Sequence, residues 1–143
     1  MAGIVRISEA VSIGIHATLG MSLDASRYWS VREIGAHYGF STAHMAKVMR
    51  SLARAGIITA VRGPHGGARL KLPPEKITLL SIYEAIDGSM EVERCLLLPE
   101  VCRSRCCRLG IKLAGHNQAI RELFATTTIA SLAQSLEKPR KKA

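Results

Sequence analysis

Four cysteines crowd one short stretch of the chain. "RCLLLPEVCRSRCCR", Arg94–Arg108, carries Cys95, Cys102, Cys106 and Cys107, and these are all the cysteines in 143 residues. Thiolates ligate metals and iron–sulfur clusters or cycle through oxidised states, and the interleaved Arg94, Arg103, Arg105 and Arg108 favour the anionic form. What the cluster does depends on its compartment. No apolar run approaches the roughly 20 residues that cross a bilayer. The N-terminal "MAGIVRISEAVSIGIHATLG" reads as a helix and not a secretory signal, because Glu9 and His16 interrupt its apolar stretch. A cytoplasmic protein without a membrane partner is expected, and there clustered cysteines bind metal or do redox chemistry more often than they form disulfides. Spacing alone leaves several chemistries open. Zinc sites generally use CxxC-like pairs, and adjacent Cys106 and Cys107 do not easily both ligate one tetrahedral ion. An exposed pair beside arginines suits a thiol switch. Ordinary loop or core cysteines are the plainest alternative.

Length and charge bound what such a site could control. A chain of 143 residues with 48% apolar content can bury a core as one domain without covalent staples. Its net charge is +9, from 20 Lys and Arg against 11 Asp and Glu, which points to a polyanionic partner. The distribution sharpens this. Ser41–Pro74 carries Lys47, Arg50, Arg54, Arg62, Arg69 and Lys71 and no acid, whereas Glu75–Glu93 carries Glu75, Glu84, Asp87, Glu91 and Glu93 against Lys76 alone. A merely solvated face mixes signs, so the first stretch reads as phosphate-facing.

Local signals give that stretch a shape. "WSVREIGAHYG" opens with a capping box, Ser30 as N-cap and Glu33 three residues on, with Trp29 and Ile34 as a hydrophobic staple. A short helix from Val31 follows, and Gly39 makes the turn. Ser41 is a second N-cap, and "STAHMAKVMRSLARAG" sets Met45, Val48, Met49, Leu52 and Ala55 on one apolar stripe before Gly56 ends the helix. Two helices joined by a tight glycine turn make a helix-turn-helix, whose second member lies in the major groove of double-stranded DNA. Its polar face presents His44, Lys47, Ser51 and Arg54, flanked by Ser41, Thr42 and Arg50. "IITAV" and "RLKL" then read as two short strands, with Val61 and Leu70 inward, and "RGPHGGA" as the loop of a wing. From it Arg62, His65 and Arg69 can reach a phosphate or the minor groove. A nucleotide-cradling loop is the rival reading of these glycines, but neither GxxxxGK[ST] nor strand–loop–helix order surrounds them.

At this point the chain resembles the family of winged-helix transcription regulators that includes IscR, NsrR, RirA and CymR. The likeness is carried by "VRIS", by "SVREIGAHYGFSTAHMAKVMRSLARAGIITAVRGPHGGARL", by "ITLLSIYEAIDG" and by "CRLGIKLAGHNQAIRELFATTTIASL", and runs from about Val5 to Leu132. The resemblance implies a mainly α fold with a small β-hairpin, a winged helix-turn-helix followed by a long C-terminal dimerisation helix. It implies a homodimer reading a near-palindromic operator, with Leu109–Thr126 as the dimer helix and Leu113, Ile120, Leu123 and Phe124 as contacts. Gly110 and Gly115 weaken that helix intrinsically, so packing must hold it.

The resemblance also implies that Cys95, Cys102 and Cys107 hold an iron–sulfur cluster, [2Fe–2S] or [4Fe–4S]. The spacing departs from the family, with six residues between the first two, four between the next two, and the additional Cys106. A fourth ligand is unassigned: the family's aspartate position falls near Ser12 and its histidine position on Gly110, so Cys106, Glu9 and His116 are the candidates. The family's recognition helix often carries a glutamate that tunes base choice, at a position occupied here by Ala46.

The chain therefore divides into a winged helix-turn-helix over residues 1–74, a sensor loop and dimerisation helix over 75–132, and a basic disordered tail over 133–143. The expected function is DNA-binding transcription regulation controlled by a cluster that senses nitric oxide, redox state or iron availability. The alternative is a cluster-free repressor of the same family using a thiol switch or a small-molecule or protein effector. An enzyme is disfavoured, because His16, His37, His44, His65 and His116 are scattered and neither GxSxG nor HExxH occurs.

Overall fold

Helix α1, Glu9–Ser22, touches more of the protein than any single partner would require. Ser8 caps it, its Oγ accepting the Val11 N–H at 3.1 Å. Val11, Ile13, Ala17, Leu19 and Met21 are all buried, so the helix is apolar nearly all round and needs several neighbours to cover it. Those neighbours are α2 (Val31–Tyr38), α3 (Thr42–Arg54), α4 (Leu79–Asp87), α6 (Ile129–Glu137) and strand β2 (Gly67–Leu70). The computed structural model describes residues 5–64, 66–91 and 107–137.

Strand β1, Ile58–Val61, pairs antiparallel with β2, Ile58 opposite Leu70 and Val61 opposite Gly67. After a short 3-10 turn at Pro74–Lys76 comes α4, capped by Thr78, whose Oγ1 accepts the Ser81 N–H at 3.0 Å. Helix α4 lies close against α1 at Gly14, where a Cβ would lie 2.5 Å from Ile86 Cδ1 and 3.1 Å from Ile82 Cγ2 and those side chains would have to shift. Helix α5, Arg108–Thr126, packs on α4, and α6 then returns to α1. Two backbone bonds fasten the return: Leu79 N–H donates to the Thr127 carbonyl at 3.0 Å and Ile129 N–H to the Ile77 carbonyl at 2.9 Å. One core results, in which Ile13, Met21, Ile34, Met45, Leu52 and Ile58 meet Ile77, Ile82 and Ile129.

The architecture is the winged helix-turn-helix with a long C-terminal helix that the sequence led us to expect. Three details differ. The division read at residue 74 does not coincide with a break in packing, because α4 and α6 share the core of the helix-turn-helix. Helix α6 carries the chain past the boundary read at residue 132, with Leu132 and Ala133 against the core; apolar residues every three or four positions continue the helix into the region read as tail. Residues 138–143 lie outside the described residues. Val61, expected inward, is 49% exposed, because strand alternation from buried Ile58 places it on the opposite face. Leu70, opposite Ile58, is buried as expected.

Candidate nucleic-acid interface and cysteine site

The capping box forms as the sequence predicts. Glu33 N–H donates to Ser30 Oγ at 3.0 Å, and Ser30 N–H donates to Glu33 Oε2 at 2.8 Å. The Ser30 amide, then its side chain, then Arg27 hold the Glu33 carboxyl below the usual glutamate range. At the far end of α2, Gly39 takes φ 72°, a left-handed conformation that glycine adopts without strain, and the chain turns into α3. Ser41 caps α3, its Oγ accepting the His44 N–H at 3.3 Å. Its hydroxyl hydrogen remains a donor.

Helix α3 is divided between two environments. Met45, Val48, Met49 and Leu52 are buried, while Thr42, His44, Lys47, Arg50 and Arg54 are exposed and Ser51 is half-buried. Ala55, expected on the apolar stripe, is the exposed C-cap, because the helix ends one residue before it at Arg54. Gly56 follows with φ 75°. Among the described residues, none of Lys47, Arg50, Arg54 or Arg62 enters an ion pair. Their charge is presented outward, with no counterion among the described residues.

The wing continues the surface. Arg62, exposed, leaves β1. Arg69 is exposed on β2, with its Cζ 4.9 Å from the ring centroid of Tyr28. Trp29 forms a bridge to Ala68, donating to its carbonyl and accepting its N–H, both at 2.8 Å, so the loop before α2 is joined to the sheet. His65 lies outside the described residues. The pairing of Tyr28 and Trp29 with the wing was not read from sequence; "RYWS" ahead of a capping box carries aromatic β-propensity, but Ala68, the partner of Trp29, is distant in sequence.

Of the cysteines, Cys107 is described and Cys95, Cys102 and Cys106 are not. Cys107 is half-buried and is the N-cap of α5, its Sγ accepting the Gly110 N–H at 3.3 Å. This bond fixes the Cys107 side chain at the start of α5. The candidate fourth ligands Glu9 and His116 are both exposed, on α1 and α5 respectively, and the described residues contain no group of three or more His, Cys, Asp or Glu placed to hold a metal.

The residues read as dimer contacts on α5 differ in exposure. Leu123 is 59% exposed, whereas Leu113, Ile120 and Phe124 are half-buried. Phe124 meets Tyr83 of α4 edge-on, ring centroids 6.2 Å apart. Leu109 and Ile111 are exposed as well and were not singled out from sequence. Among the described residues, no helix is long and apolar enough to cross a membrane.

Comparison with known proteins agrees with this geometry. A family model, Rrf2, described as an iron-dependent transcriptional regulator, matches residues 7–135. A protein of Aquifex aeolicus (strain VF5) named as an HTH-type transcriptional regulator is 31% identical over 134 residues, which is 92% of this chain and 93% of the relative. BadM of Rhodopseudomonas palustris, also named as an HTH-type transcriptional regulator, is 38% identical over 84 residues, 59% of this chain and 54% of its own. Among solved structures, T. potens IscR matches with a TM-score of 0.78 at 18% identity, over 97% of this chain and 93% of that one. CymR (YrzC), the global cysteine regulator of B. subtilis, matches with a TM-score of 0.76 at 21% identity, over 92% and 98%. At those identities the structural likeness is one of fold.

Proposed function

The chain belongs to the Rrf2 family of transcriptional regulators, and on that premise we propose that it is a cytoplasmic homodimer that binds a near-palindromic operator under the control of an iron–sulfur cluster. The observation that carries the DNA-binding part is the division of α3, apolar face buried and Lys47, Arg50 and Arg54 outward with no counterion among the described residues. With Arg62 and Arg69 of the wing, these cations form a surface suited to phosphates flanking a groove. Ser41, Thr42, His44 and Ser51 supply hydrogen-bonding groups on or beside that surface, and His65 belongs to the same wing loop in sequence. Two copies joined through α5, with Leu109, Ile111 and Leu123 between them, would present two such surfaces, as palindromic sites require.

Cys95, Cys102 and Cys107 would hold the cluster, with Cys106 as a further thiol. When bound, the cluster supplies sensitivity to nitric oxide, oxidation and iron supply. The chain's own part is to connect that segment to DNA: Cys107 caps α5, α5 packs on α4, and α4 packs on α3. Control by this route requires that DNA bind one cluster state better than the other.

A second reading, a cluster-free thiol switch, is favoured by the adjacency of Cys106 and Cys107 beside Arg105 and Arg108. Anaerobic purification followed by selection from a random duplex pool separates the readings. A coloured protein that enriches a two-fold site supports cluster control; a colourless one with intact thiols that enriches the same site supports the switch. Failure to enrich any duplex in either form would refute the DNA-binding reading.

A further inference from the structure

Two arginines flank the junction between the loop before α2 and the wing, and they are held in different ways. Arg27 lies over Trp29, its Cζ 3.4 Å from the ring centroid, with Nη1 3.2 Å from Glu33 Oε1 and Nε 3.8 Å from Asp24 Oδ2. Two carboxylates offset its charge. Arg69 lies over Tyr28 instead, and makes no ion pair among the described residues. An aromatic face attracts a guanidinium through its quadrupole and uses none of the in-plane N–H donors. Arg69 is thereby oriented, with no carboxylate among the described residues to neutralise it.

The placement of Tyr28 follows from backbone pairing. The antiparallel bridge Trp29–Ala68 sets the register of the loop against β2, and one step along that register puts Tyr28 opposite Arg69. The other neighbouring step needs Gly67, where a Cβ would come 2.6 Å from the Trp29 carbonyl oxygen. The loop is thus fixed to the wing at the point where Tyr28 meets Arg69, and both side chains face solvent.

We propose that Tyr28 is a positioning residue for DNA binding, holding the Arg69 guanidinium on the wing surface with its donors directed to a backbone phosphate. The inference rests on the reading of Ser41–Leu70 as the DNA-binding unit. It assigns a role to the loop before α2, which contains no residue of the helix-turn-helix itself. It also separates Arg69 from Arg27: the first serves the ligand and the second serves the fold.

A double-mutant cycle on a random-sequence duplex tests this, because a phosphate contact is independent of sequence. Tyr28→Ala should weaken binding about two- to fivefold, the range for an exposed cation–π contact. Tyr28→Phe should bind like the unmodified chain. Tyr28→Leu, which keeps an apolar side chain without the quadrupole, should bind like Tyr28→Ala and guards against a folding defect in the latter. Arg69→Ala and Tyr28→Ala/Arg69→Ala should be indistinguishable, each lowering the salt slope of log K by about one. Equal losses from Tyr28→Ala with and without Arg69 would overturn the proposal, as would a loss in Tyr28→Phe equal to that in Tyr28→Ala. If the unmodified chain binds no duplex, the DNA-binding reading fails and this proposal with it; normal binding with an inert Tyr28 removes this proposal alone.

Discussion

The backbone N–H of Val5 donates to Asn117 Oδ1 at 3.3 Å, joining the segment ahead of α1 to the middle of α5 across 112 residues of sequence. Asn117 is 1% exposed, so the bond sits where an unpaired amide is costly. Asn117→Leu preserves much of the volume and removes the acceptor, and should destabilise the fold by about 1–3 kcal/mol. Urea unfolding measures this. A variant as stable as the unmodified chain would show that packing alone governs the site.

The cations of α3 and the wing should act additively and without effect on folding. Lys47→Ala and Arg62→Ala are each expected to reduce the salt slope of log K by about one while leaving thermal unfolding unchanged. Both side chains are exposed, which is why no stability loss is expected. Affinity unchanged in both variants at two salt concentrations would remove this surface from consideration.

The cysteines should differ in their effect on the visible spectrum of anaerobically purified protein. Neighbouring side chains diverge by about 100° on a helix and point to opposite sides of an extended segment, so one small cluster takes one of Cys106 and Cys107 more readily than both. Cys95→Ser, Cys102→Ser and Cys107→Ser should abolish the chromophore, and Cys106→Ser should keep it. Because serine is itself a good N-cap, Cys107→Ser retains the start of α5, and loss of colour there reports loss of a ligand. Colour retained in all four variants would refute the cluster.

Glu33 gives a pH signature. The Ser30 amide, the Ser30 hydroxyl and Arg27 lower its folded-state pKa, so its contribution is present above the ordinary glutamate pKa of about 4.3 and is lost as pH falls through the lower folded value. Glu33→Gln should be less stable than the unmodified chain at pH 7, and the gap should close in acid. A gap of equal size at pH 7 and pH 3 would mean that the carboxylate charge plays no part.

Which features the sequence made visible depended on how far apart the cooperating residues stand. Ser30 with Glu33, Ser41 with His44, and the buried stripe of Met45, Val48, Met49 and Leu52 are local patterns, and each forms as read. The Tyr28–Arg69 stack, the Val5–Asn117 bond and the return of α6 are long-range pairings that no spacing rule announces. The error at Val61 came from treating an apolar residue as necessarily inward, when the strand period had already assigned the inside to Ile58. Ala55 shows the lesser case: Gly56 ends α3 at the C′ position as read, but the C-cap before it is exposed and not part of the apolar stripe.

The clasp between residues 77–79 and 127–129 bears on the order in which the protein is made. Ile129 is fully buried in the core that supports the helix-turn-helix, yet it is polymerised 75 residues after Arg54 closes α3. At about 5–20 residues per second, the ribosome releases a complete α3 several seconds before the residue that seals its core. A nascent chain therefore displays the basic helix while its supporting packing is unfinished. Helix α6, whose Ile129 completes that core, follows only after the cysteine-rich segment and α5 have also been synthesised.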